Sequence, residues 1–162
     1  MSNGEPPSDF FPPQVIDALP AEFKVTREQL PGLAYFLLGH ALLDRWLIQF
    51  GAVLRFRAAA MRDDTISTDQ VNPLLDQILR DCSRGAFARH LKAVQNHLPE
   101  AALRTCEEAN RGRDHFLHWE PGRFEVPRYF SADVTTRSGF EAYMKGVLTA
   151  IRLIQASVDG RP

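Results

Sequence analysis

Apolar residues crowd the run from Pro31 to about Arg62, which opens on a proline and has none inside, the pattern of one long helix. At about 100° per residue, Leu33, Phe36, Leu37, Leu43, Leu47, Phe50 and Leu54 spread over much of its surface. His40, Asp44, Gly51 and Arg55 share one narrow polar stripe. So wide an apolar arc predicts burial on more than one side, either at the centre of a bundle or against a second protomer. A polar loop, Arg62 to Asp69, follows. Asn72-Pro73 then reads as cap and first turn of a helix carrying Leu74, Leu75, Ile78, Leu79 and Cys82, with Gly85 as its end. Phe87, Leu91 and Val94 continue an apolar stripe toward His97. Pro99 starts the next helix, which turns Ala102, Leu103, Cys106 and Ala109 inward and runs toward His118 and Trp119. Glu120 to Arg137 reads as loop or short hairpin, broken by Pro121-Gly122 and Pro127. Ser138-Gly139-Phe140-Glu141 reads as a capping box that opens a final amphipathic helix through Ile154. The pattern predicts an all-α bundle of four or five helices over residues 31–158.

Ahead of that body, residues 1–30 form a proline-rich arm. Of the chain's 11 prolines, Pro6, Pro7, Pro12, Pro13 and Pro20 fall in it and Pro31 follows directly, so it should be extended rather than helical. Phe10, Phe11, Val15, Ile16 and Leu19 make it too apolar for an inert tail, and it is expected to pack on the body or on a partner. The start has no basic segment followed by an apolar one, so no secretory signal is expected. His40, Asp44, Arg45 and Gln49 interrupt the most hydrophobic stretch, Leu33 to Leu54, which argues against a membrane span. A cytoplasmic location is expected. Cys82 and Cys106, with no CxxC pairing, read as reduced and buried thiols.

The 162 residues carry 19 Lys plus Arg against 20 Asp plus Glu, a net charge of −1, which excludes a binder that holds nucleic acid by bulk positive charge. Any such activity must sit in a local site. Arg84, Arg89, Lys92, Arg104, Arg111, Arg113, Arg123 and Arg128 make one region mildly basic, although Glu100, Glu107, Glu108 and Glu120 dilute it. His90 and His97, seven apart, are expected to be solvent-exposed, and His40 to be hydrogen-bonded or exposed. The chain lacks the phosphate-loop, dinucleotide-binding and nucleophile-elbow patterns.

One segment stands apart, Asn110-Arg111-Gly112-Arg113-Asp114-His115-Phe116-Leu117-His118-Trp119. Asp114 and His118, at i and i+4, share a helical face, while Arg113 lies about 140° round from His118. Bringing both groups to one atom calls for a bent helix end or a second protomer. The string Arg113-Asp114-His115-Phe116-Leu117-His118 resembles the Rx4–6H motif of the HEPN superfamily, all-α proteins that pair two such motifs across a dimer cleft. Gly112 stands where that family commonly has an apolar residue, and Asp114 where asparagine is more frequent.

The resemblance implies a metal-independent endoribonuclease, without cofactor, in a stress or phage-defence setting. His118 would take the ribose 2′-hydroxyl proton, with its unperturbed pKa near 6.5. Arg113 would stabilise charge on the phosphate, and Asp114 would orient the imidazole. Asn110, Arg111 and His115 would contact RNA. Expected partners are RNA, a second copy of the chain, and a cognate antitoxin or nucleotidyltransferase, with no membrane. A metal held by His115 and His118 lacks a third ligand at convincing spacing, Glu120 being the only near candidate. The competing expectation is a non-catalytic helical module that binds a nucleotide or a protein.

Overall fold

The computed structural model describes residues 30–63, 65–117 and 126–159, with the side chains of 30, 31, 115 and 117 outside the description. The arm expected over 1–30 lies outside it apart from position 30. Among the described residues the architecture is all-α, and no helix is long and apolar enough to cross a membrane.

Helix α1, Leu30–Arg62, is the proline-free run read from the pattern. Pro31 falls in its first turn, where a missing N–H breaks no helical bond. At 33 residues it is about 50 Å long, and α2, α3, α4 and α5 all pack against it. The wide apolar arc therefore has an intramolecular explanation. Phe36, Leu43, Leu47 and Phe50 are buried, and Tyr35, Leu37 and Leu38 remain exposed.

Helix α2, Thr68–Cys82, begins earlier than Asn72-Pro73 suggested. Ser67 is its cap, and the Ser67 N–H donates to Gln70 Oε1 at 3.0 Å. That pairing satisfies an end that Asn72 would otherwise have to cap, so Pro73 lies inside the helix and removes one internal bond. The helix has no fully buried residue, and Leu74, Leu75, Ile78 and Leu79 are half-covered against α1. Gly85, at φ +126°, turns the chain in a conformation that side chains disfavour.

Helix α3, Phe87–Val94, buries Phe87, His90, Leu91 and Val94, and a 3₁₀ turn over Gln95–His97 follows it. Helix α4, Glu100–Leu117, starts where Pro99 offers its carbonyl to Ala102 and Leu103. It buries Ala102, Cys106 and Ala109.

The expected loop or hairpin is a hairpin where it is described. Strands β1, Arg128–Tyr129, and β2, Ala132–Asp133, pair antiparallel. Phe130 and Ser131 between them both have positive φ, as a two-residue turn matched to strand twist requires. Two contacts fasten the hairpin to α4. Tyr129 Oη lies 3.2 Å from Thr105 Oγ1, and the Arg104 guanidinium sits over the Phe130 ring.

Helix α5, Arg137–Asp159, is capped two residues ahead of the expected box. Thr136 Oγ1 accepts from the Gly139 N–H, and Ser138 is already helical. Thr136 wins because its hydroxyl also donates to the Asp133 carbonyl, which ties the cap to β2. Tyr143, Val147, Ile151 and Ile154 complete the core, and Tyr143 Oη donates to the Phe36 carbonyl of α1.

Gly112 marks where the hairpin crosses α4. A Cβ there would stand 2.6 Å from the Arg128 carbonyl oxygen and 3.2 Å from Phe36. Replacing a helical glycine with alanine ordinarily stabilises by about 1 kcal/mol. Overpacking against backbone costs about 1–3 kcal/mol, so the clash wins. Gly112→Ala is expected to lower the melting temperature by a few degrees, read by circular dichroism. A rise would show that the hairpin does not press on α4 there.

Candidate functional site

The polar stripe of α1 reaches water only in part, with His40 and Gly51 buried, Asp44 half-buried and Arg55 exposed. His40 and Asp44, one turn apart, meet α3 and the C-terminal part of α4. His90 of α3 lies within hydrogen-bonding reach of Asp44, its Nδ1 at 2.7 Å from Asp44 Oδ1. A carboxylate can only accept, so His90 Nδ1 carries the proton. The expectation that His90 is exposed fails, since only 6% of its surface reaches solvent. Asp44 provides the partner that makes this burial tolerable. His97 is exposed as expected.

His40 is 8% exposed, and its ring packs on Phe87 with centroids 4.1 Å apart. Its Nε2 is buried without a hydrogen-bond partner, contrary to the expectation of a bonded or exposed ring. Burial and the positive charge of Arg113 push its pKa down to about 4, partly offset by Asp44 and Asp114. His40 is therefore neutral at pH 7. That electrostatic link also puts the first residues of the Arg113–His118 string beside α1.

Arg113 is 30% exposed, and its Nη1 lies 3.5 Å from Asp114 Oδ1. Asp114 also accepts from Asn110 Nδ2 at 3.2 Å. Asn110 Oδ1 is buried and has no partner among the described residues. Arg111 points elsewhere and pairs with Glu108 on the solvent side of α4. The structure thus brings Asn110, Arg113 and Asp114 together and leaves Arg111 apart. His118 and the side chain of His115 lie outside the described residues, so the Asp114–His118 pairing falls outside them too.

Three buried side-chain atoms lack partners among the described residues: His40 Nε2, His90 Nε2 and Asn110 Oδ1. All three belong to this region of α1, α3 and α4. Unsatisfied polar atoms are uncommon in native interiors, and a concentration of them calls for a ligand, a water or a catalytic role. His40 and Asp44 carried a readable signal, a polar i, i+4 pair on a helix apolar almost all round. His90 carried none, because its partner is 46 positions away in the chain.

Among the described residues no group of three His, Cys, Asp or Glu could hold a metal. The cysteines are free; Cys106 is buried, and its thiol is pushed up to about 12 by that burial. Cys82 is only half-buried, and burial raises its pKa as well. Neither thiol is an activated nucleophile. No protein-family model, curated protein or solved structure matches the chain.

The depressed pKa of His40 fixes a pH window. The unfolded chain takes up a proton below about pH 6.5 that the folded chain resists down to about pH 4. Stability from this group is undiminished above pH 6.5, falls between 6.5 and 4, and falls no further below that. In urea unfolding, wild type should lose up to about 3 kcal/mol more than His40→Gln between pH 7 and pH 4. Parallel pH profiles would show that His40 is not held neutral.

Proposed function

We propose that this chain is a HEPN-like, metal-independent endoribonuclease in which Arg113 and His118 act on one phosphodiester. The observation that carries the reading is the setting of Arg113. It is a half-buried guanidinium on α4 beside a polar cluster in which His40 Nε2 and Asn110 Oδ1 find no partner among the described residues. A preorganised cation with little water around it stabilises charge developing on a phosphoryl oxygen far better than one on an open surface. The all-α class and the late-helix position of the string support the same reading.

In this mechanism His118 takes the proton from the ribose 2′-hydroxyl, and the oxygen attacks the adjacent phosphorus. The 5′-oxygen leaves with a proton, giving a 2′,3′-cyclic phosphate and a 5′-hydroxyl. Arg113 pairs with the non-bridging oxygens through its planar fork. Asn110 and Asp114 hold the guanidinium side of the site, and His40, being neutral, offers a hydrogen bond rather than a charge. The chemistry needs the 2′-hydroxyl, so DNA is spared. The site works between two copies of the chain, in the cytoplasm, in a stress or phage-defence role. A non-catalytic binding module is favoured instead by the exposed Tyr35, Leu37 and Leu38 near the start of α1.

Purified protein incubated with single-stranded and structured RNA in EDTA is expected to leave 2′,3′-cyclic phosphate ends. His118→Ala and Arg113→Ala should each reduce the rate by about 100-fold or more, and a 2′-deoxy substitution at the scissile nucleotide should abolish cleavage there. Cleavage that persists unchanged in both variants sinks the assignment. RNA binding without cleavage moves the chain to the module reading.

A further inference from the structure

A second cationic feature lies along α1, beyond the Asp44–His90 pair. Between the middle of α1, the end of α2 and helix α3 runs a cleft of about 220 Å³. That is roughly seven waters' share of liquid volume, room for an anionic group with a small ring attached. Its floor is apolar, with Leu47, Leu54 and Val94 among the residues that line it. Gly51 lies at the floor, where a Cβ would already press on Val94 at 3.3 Å.

The rim is charged. Arg55, Arg84 and Arg89 line the cleft against a single carboxylate, Asp81, so the side-chain balance is 3 − 1 = +2 before any histidine is counted. Asp81 is taken up by Arg84 at 3.6 Å. The guanidiniums of Arg55 and Arg89 make no hydrogen bond or ion pair with any described residue. One wall holds His90, more than nine-tenths buried. Its Nδ1 is committed to Asp44, and its Nε2, on the opposite side of the ring, has no partner among the described residues.

Two uncommitted guanidiniums, an apolar floor and the wall that His90 helps to form meet in one cleft. We infer that this cleft is a binding site for a small phosphomonoester carrying a flat apolar body, separate from the Arg113 end of α4. The phosphate bridges Arg55 and Arg89 at the mouth, where paired guanidiniums match its oxygens. The apolar body lies on Leu47, Leu54 and Val94. The His90 ring contacts the ligand from the wall, held in place by Asp44. This site stands or falls independently of the nuclease reading, because it uses neither Arg113 nor His118 and is read by binding rather than cleavage.

The probes are phenyl phosphate and inorganic phosphate, titrated into the full chain by calorimetry and by ¹⁵N resonances of the histidine rings. Phenyl phosphate should bind saturably and at least about 10-fold more tightly than inorganic phosphate, the floor supplying the difference. Arg55→Gln and Arg89→Gln should each weaken it by about 10-fold or more. Both side chains are exposed, so the fold should persist, which circular dichroism checks. Lys145→Gln, on the exposed face of α5, should leave binding unchanged. The His90 ring resonances should move along the same saturation curve. Absence of saturable binding up to millimolar concentrations overturns the inference. So does binding that survives both arginine substitutions, or that leaves His90 unmoved.

Discussion

Because α1 packs against every other described α-helix of the bundle, the His40–Asp44 part of its polar stripe is turned largely inward. Each group on it must find a partner on a neighbouring helix or go without. Asp44 finds His90, and the pair is tolerable because it is not sealed. The Asp44 side chain keeps 29% of its surface exposed while His90 keeps 5%. The charged member stays partly hydrated, which reduces the desolvation penalty that makes fully buried ion pairs poor stabilisers. His40 Nε2 finds no partner among the described residues, and burial, with the charge of Arg113, keeps the ring neutral. Gly51 and Arg55, farther along the same stripe, line the wall of the cleft. One helical face thus sets the fold's least favourable burial and both of its candidate sites.

What could be read from the chain follows the range of each signal. Hydrophobic periodicity and proline act within a turn or two, so α1, α5 and the start of α4 at Pro99 were legible. Helix caps were less so, because several residues compete for one end and tertiary contacts choose between them. Ser67 displaced Asn72 through the Gln70 side chain, and Thr136 displaced Ser138 through a carbonyl of the hairpin. The burial of His90 depends on a residue 46 positions away, and no local pattern encodes that.

The segment Asn110–His118 was legible as a concentration of chemistry, and the structure sorts its members. Asn110, Arg113 and Asp114 cohere, and Arg111 turns to Glu108. Gly112, which breaks the family pattern, has a cause that only the fold supplies, the Arg128 carbonyl crossing directly above it. The near-zero net charge likewise concealed a local imbalance. Acidic residues elsewhere cancel arginines in the sum, but not in the cleft where three of those arginines meet one carboxylate.

The neutrality of His40 also decides how proton transfer divides within the cluster. An anion drawn to Arg113 would cancel part of the field that depresses the imidazole and so raise its proton affinity. Arg113 is the second-largest cause of that depression, so the relief is appreciable. Burial, however, is the larger cause of the depression, and a bound anion deepens it by excluding water. The two effects oppose each other, leaving His40 a fixed dipole rather than a titrating acid at neutral pH. In the proposed mechanism the proton therefore passes through an imidazole other than His40. The proposal gives that task to His118, for its place at the end of the string that Arg113 begins.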